Sequence, residues 1–293
     1  MRIRPLTPLL LCLVFATSAG AVSEEKHFLW EVTSERGSAY LLGSIHLGKQ
    51  EFYPLPPVIE GAFDRSDVLA VEADPGAIRT EQQQEFLRRA SLPSGRTLRD
   101  VVSDETYRAT EALFQASGID FSVYKGYRPW FVALAAARTQ FGQLGFSPEL
   151  GLDKHFLGKA RGQKPVEEME GFDGQLELLS SFSKEEDELF LLYMNADIER
   201  TRQALDRIVD RWRRGDADAI EREFLSRLEN ENPLFRQLFE KLFFQRNREM
   251  AARVESFLST GDVHFVVVGA AHLVGDRGVP RLLEERGYTV RQL

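Results

Sequence analysis

Two histidines, His46 and His272, each follow a glycine by three residues and close an apolar run. The first lies in Tyr40-Leu-Leu-Gly43-Ser-Ile-His46-Leu-Gly48, the second in Phe265-Val-Val-Val-Gly269-Ala-Ala-His272-Leu-Val-Gly275. A third apolar run, Val68-Leu-Ala-Val71, ends in Glu72. Two imidazoles and a carboxylate suit zinc, manganese or cobalt. One Gly-x-x-His segment alone reads as a hydrogen-bonded core histidine. Two of them among five histidines point to a shared site. Glu72 reads equally as a solvated strand-end acid, a metal ligand or a general base.

Other residues could serve such a site. Arg246 falls within an apolar helical stripe that includes Phe239, Leu242, Phe243 and Met250, with Asn247 flanking it. An inward guanidinium clamps a substrate carboxylate, steadies an oxyanion or pairs with a buried acid. Glu170 and Gln175 lie at a strand-to-helix junction that could aim a carboxylate into a cleft, and Asp74 could share the face of Glu72. Asp153 and Asp173 read first as helix caps. His264 starts the strand that His272 follows, so it belongs at the opposite end of the sheet. His155 reads as structural or surface, and His27 stands at a strand start.

The elements that must carry these side chains follow from periodicity. Strands are expected over His27–Val32 and Ser38–Ile45, joined by a turn at Ser34–Gly37, then a helix from Pro56–Pro57 to Phe63 and a strand ending at Glu72. Helices follow over Thr80–Ala90, Ser103–Gln115, Trp130–Phe141 and Leu152–Arg161, punctuated by glycines. A short strand fits Lys164–Glu168. Helices then fit Asp173–Phe182, Lys184–Arg214 (straight or kinked), Asp216–Leu228 and Pro233–Leu258. The chain closes with a strand at Val263–Val268, a helix at Val279–Arg286 and a strand at Tyr288–Leu293. The expected fold is α/β (α+β): a central mixed sheet built from the two ends of the chain, with a large helical insert over about residues 76–260.

Residues 1–21 read as a secretory signal, with Arg2 and Arg4, an apolar stretch from Leu9 to Ala16, and the small-residue site Ala19-Gly20-Ala21. The stretch is short for a membrane span, so no stable span is expected after cleavage, and the location is periplasmic or secreted. The single cysteine, Cys12, lies in that stretch, which excludes thiol chemistry and disulfides from the rest. The chain has 45 Asp and Glu against 37 Lys and Arg, a net charge of −8, which argues against broad nucleic-acid binding. No P-loop, dinucleotide-binding glycine fingerprint, nucleophile elbow or His-Glu-x-x-His motif is present.

The segments Leu42-Gly43-Ser44-Ile45-His46-Leu47-Gly48, Val71-Glu72-Ala73-Asp74, Lys164-Pro165-Val166 with Glu170 and Gln175, Arg246-Asn247, and Val268-Gly269-Ala270-Ala271-His272-Leu273-Val274-Gly275 come in that order. Together they resemble the TraB/GumN family, which includes the TIKI proteases. The likeness spans nearly the whole chain after residue 21. The second motif reads Gly-Ala-Ala-His where Gly-Ala-Gly-His is commoner. The resemblance implies an α/β core with a helical insert and a divalent-metal-dependent hydrolase. The reading is an exported peptidase acting on a peptide or protein, with His46, His272 and Glu72 as metal ligands. Glu72 or Glu170 would be the base, and Arg246 and Asn247 would hold substrate or oxyanion. The alternatives are a non-catalytic protein of the same fold that binds peptide or haem through the same histidines, and an esterase.

Overall fold

The computed structural model describes residues 25–195, 197–226 and 233–293. The signal expected over 1–21, Cys12 included, lies outside them. Strands β1 (Leu29–Thr33) and β2 (Ser38–Ser44) form an antiparallel hairpin. The Ser34 hydroxyl closes its turn by accepting the N–H groups of Arg36 and Gly37. Helix α1 (Pro57–Arg65) has proline at its first position, where the missing N–H costs nothing. It leads to β3 (Val68–Val71), buried along its whole length.

The insert begins with α2 (Thr80–Ala90), α3 (Asp104–Ala116), α4 (Pro129–Gln143) and α5 (Leu152–Ala160). It is not wholly helical: the short strand expected at Lys164–Glu168 is β4 (Val166–Glu168), and it joins the sheet that the sequence reading built from the two ends of the chain alone. Helices α6 (Gly171–Ser180) and α7 (Lys184–Met194) follow. The stretch expected over Lys184–Arg214 is broken, and α8 (Ile198–Arg213) is a separate helix. Asp197 caps it by accepting the N–H groups of Glu199 and Arg200. Helix α9 is only Ala217–Ile220, continued by wider-wound turns over Glu221–Ser226. The long terminal helix is α10 (Pro233–Phe239), a wider-wound stretch at Glu240–Phe244, and α11 (Gln245–Phe257). Strand β5 (His264–Gly269), α12 (Val279–Glu285) and β6 (Thr289–Gln292) complete the chain.

The six strands lie in the order β4-β3-β5-β2-β1-β6. Strands β4, β3, β5 and β2 run parallel, and the hairpin partner β1 and closing β6 pair antiparallel. The sheet is therefore mixed, as the sequence implied. Its centre, β5, reads Phe265-Val-Val-Val268 because helices cover both faces of a parallel strand. Phe63, Phe156 and Phe265 meet with ring centroids 4.7–5.5 Å apart and so fasten α1 and α5 to the sheet. A second apolar core, around Leu98, Phe114, Trp130 and Leu191, holds the insert together. Arg128 of that insert pairs with buried Asp187 at 2.8 Å, and Asp187 also accepts the Trp130 N–H. Among the described residues no helix is long and apolar enough to cross a membrane.

Candidate functional site

Strands β3, β5 and β2 are neighbours and parallel, so their carboxyl ends share one edge of the sheet. The registers Ser44↔Gly269 and Val71↔Val267 bring those ends level within two residues. Strands lie about 4.8 Å apart, which places the residues just beyond three adjacent strands within reach of one another. They are His46, Glu72 and His272. His264, at the start of β5, is at the far end, stacked on Phe257 with centroids 4.2 Å apart. His155 is structural, 3.0 Å from Glu60 and packed against Tyr53.

The Nε2 atoms of His46 and His272 each lie 3.9 Å from the same oxygen, Glu72 Oε1. Both rings are aimed through their other nitrogen. His46 Nδ1–H donates to Asp153 Oδ2 at 2.9 Å, and Asp153 also accepts the Ser44 hydroxyl. His272 Nδ1–H donates to Asn247 Oδ1 at 2.5 Å. The Asn247 amide is oriented by its NH2 group, which donates to the Arg277 carbonyl at 2.8 Å. Among the described residues neither Nε2 has a hydrogen-bond partner. Imidazole tied at Nδ1 with Nε2 directed to a common point is the arrangement that orients metal-binding histidines.

Glu72 is fixed on both sides. Its Oε1 accepts the Gly269 N–H at 2.6 Å, and its Oε2 accepts Arg246 Nη2 at 2.7 Å and Gln175 Nε2 at 3.3 Å. Burial pushes its carboxyl up, but His46, His272, Arg246 and the Gly269 N–H outweigh that and hold it at about 2. The His46 imidazole is raised to about 10, chiefly by the Asp153 carboxylate. Burial lowers His272 to about 3, so it is neutral. Gly269 leaves the space between these side chains open. A Cβ on it would lie 3.1 Å from His46 Nε2, 3.4 Å from Glu72 Oε1 and 3.6 Å from His272.

Arg246 and Asn247 stand behind the ligand-type residues. Arg246 grips Glu170 with two bonds, at 2.6 and 2.7 Å, and its Nη1 donates to the Leu242 carbonyl. Arg246 is found paired with acids, buried Glu72 and part-buried Glu170, and neither Arg246, Asn247 nor Glu170 lines the cleft outside. That cleft, about 740 Å³, opens over His46, Glu72, Asp153 and Gln175 between the β3–α2 connection, α5 and α6. Asp74 lines it and accepts the Gly76 N–H.

Asp153 was legible only as a helix cap. The sequence signal that it meets His46 is a pair of glycines: a Cβ on Gly151 would lie 2.1 Å from the His46 carbonyl oxygen, and one on Gly48 only 1.7 Å from that of Leu150. The two loops touch backbone to backbone, with Gly48 and Ser147 exchanging hydrogen bonds.

The donor chemistry fits a divalent ion. The spacing does not yet close around one: two ligands in a tetrahedral zinc site stand about 3.4 Å apart, against 3.9 Å here. Among the described residues no three His, Cys, Asp or Glu side chains are grouped tightly enough to hold a metal as they stand.

A family model described as the TraB/PrgY/gumN family matches residues 28–292. The chain belongs to the TraB/PrgY/gumN family. Similar relatives of this TraB/PrgY/gumN chain include the "Uncharacterized protein YbaP" of Shigella flexneri, 28% identical over 251 residues, covering 84% of this chain and 87% of that one. The YbaP protein of Escherichia coli is 28% identical over 250 residues, covering 83% and 87%. A "Metalloprotease TIKI homolog" of Amphimedon queenslandica is 34% identical over 58 residues, 19% of this chain and 11% of its own. No solved structure matches.

Proposed function

We propose that this TraB/PrgY/gumN chain is an exported, divalent-metal-dependent hydrolase acting on peptides. The observation that carries the reading is the convergence of two Nδ1-tethered imidazoles on one oxygen of Glu72, with His46 and Glu72 lining a cleft and His272 buried behind them. The partial likeness to a protein named as a metalloprotease favours peptide over ester substrates. The expected signal over residues 1–21 supports export.

His46 and His272 would hold the ion with Glu72, each contributing Nε2. A bound ion would supply a Lewis acid and a water of lowered pKa. The protein's own part is orientation and proton handling. Asp153 and Asn247 fix the two rings, and Arg246 and Gln175 stop the Glu72 carboxylate from turning. His46, His272, Arg246 and the Gly269 N–H favour the anionic form of Glu72, so Oε1 would serve as ligand and would take a proton only from an acidified donor. Glu170 is held in its two-bond grip by Arg246 and serves to keep that guanidinium against Glu72.

The test compares the native chain with the His46→Ala, His272→Ala double variant for bound zinc, manganese or cobalt and for cleavage of a peptide library. Stoichiometric metal and metal-dependent cleavage in the native chain, both lost in the variant, is the expected result. Cleavage that survives both substitutions overturns the assignment. Metal uptake by the native chain without turnover of any peptide or ester would make it a binding protein instead.

A further inference from the structure

One wall of the cleft carries a charge that the site does not use. Helix α5 turns Lys154, Leu157 and Gly158 to the cleft, and Arg161 follows at its carboxyl end. Lys154 is neutralised by Glu149. Arg161 is exposed and, among the described residues, makes no ion pair, side-chain hydrogen bond or ring contact. Its guanidinium lies over Gly76, where a Cβ would be 2.5 Å from Nη2. Asp74 touches the same glycine, but its Oδ1 is turned to the Gly76 N–H at 2.8 Å and does not pair with Arg161. Glu72 and Asp153, the other acids of the cleft, already have Arg246 and His46. The remaining lining is largely apolar and includes Ile78, Pro148, Leu157 and Phe172.

We infer that Arg161 is the subsite for a substrate carboxylate, and that the preferred ligand is an apolar peptide segment with one carboxylate placed at a fixed distance from the reacting bond. This rests on the peptidase reading above. A free guanidinium beside an apolar surface binds a carboxylate by two parallel charge-assisted hydrogen bonds. Its place on α5 sets the distance. Asp153, beside His46, is the second residue of α5, and Arg161 is the residue just past its last turn, eight positions on and a helical rise of about 12 Å away. An extended peptide advances about 3.3 Å per residue. The carboxylate therefore belongs about three or four residues from the bond held at His46. It is either a chain terminus or an Asp or Glu side chain. Among the described residues that line the cleft, Arg161 is the cation without an acid partner, which makes it the local address for an anion.

The test uses the full chain and three apolar peptides of one sequence: a free C-terminal carboxylate, its amide twin, and the amide with an internal Glu. Binding is read by fluorescence anisotropy on the metal-free protein, and cleavage by kcat/KM on the protein loaded with zinc or manganese. Native protein should bind an acid peptide roughly tenfold tighter than the amide, the scale of one good charge-assisted contact. The terminal and internal acids identify which source of carboxylate is read. Arg161→Gln should bring the acid peptides down to the amide, and Arg161→Lys should restore part of the gap. Gly76→Ala, which displaces the guanidinium without removing it, should narrow the gap. Asp74→Asn should widen it by removing a nearby negative charge that repels an incoming carboxylate. Equal binding of acid and amide by native protein, or a gap that survives Arg161→Gln in a variant with a native melting curve, overturns the inference. An acid preference without any cleavage upholds the subsite and removes the peptidase reading; cleavage without acid preference does the reverse.

Discussion

The two Gly-x-x-His limbs share a pattern and end as different chemical groups. His46 is 57% exposed at the mouth of the cleft, faces a carboxylate partner and is raised to about 10. His272 is 3% exposed, faces a neutral amide and is lowered to about 3. The glycines diverge as well. Gly43 makes room for the core, since a Cβ there would lie 2.3 Å from the Phe28 ring. Gly269 makes room for the site. The spacing thus fixes where a ring emerges from the sheet, while neighbours distant in sequence decide its charge. One limb is a rigid neutral donor, and the other a solvent-facing imidazolium whose Nε2 must give up its proton before it can hold an ion.

The sharpest way to break the comparison is at the buried partner. Asn247→Leu leaves the His272 Nδ1–H and the Arg277 carbonyl without their bonds, at about 1–3 kcal/mol for each group left unpaired. A loss of about 2–4 kcal/mol is expected in urea unfolding, and a loss under 0.5 kcal/mol, a threshold set at roughly the scatter of surface substitutions, would mean that the amide does not anchor the ring. The glycines should separate next. Gly43→Ala overpacks against Phe28 and costs about 1–3 kcal/mol of stability. Gly269→Ala should cost less in unfolding but abolish metal uptake, because its methyl enters the space between the two rings and Glu72. Equal effects of the two substitutions on both measurements would erase the distinction.

The smallest effect concerns the exposed limb and pH. A histidine raised from 6.5 to about 10 contributes stability that is fully present below about 6.5 and is lost as pH rises through about 10. Because the ring is more than half exposed, screening keeps that contribution under about 1 kcal/mol. Asp153→Asn removes the largest cause. The His46 titration midpoint, followed by NMR, should fall toward 6.5, and the alkaline decline in stability should flatten. A midpoint that stays near 10 would assign the effect to Glu72.

The strands and their ends were readable because β5 and β3 are apolar runs that end abruptly in a polar residue, and parallel strands bring such ends to one edge. The pairing of Arg246 with buried acids was among the readings of its apolar stripe; its choice of Glu170 and Glu72 was not, since those partners are 76 and 174 residues away. Asp153 was read as a cap because a cap and a partner 107 residues distant look alike in sequence. The break before α8 was hidden by helix-compatible residues on both sides of Asp197. Arg161 carries no pattern at all, and only the cleft around it makes it conspicuous.

The wider-wound stretch Glu240–Phe244 ends one residue before Gln245 and two before Arg246. Such a stretch bonds i→i+5 and so holds one extra residue relative to its α-helical surroundings. Each residue of a helix advances by about 100° around the axis, so this extra one sets the angular phase of everything after it. Excising a single residue there would leave an unbroken rod with the same apolar content, yet rotate Arg246 and Asn247 away from Glu72 and His272 together. Two polar contacts, one at the end of β3 and one on the His272 limb, thus share one dial, which lies outside both of them.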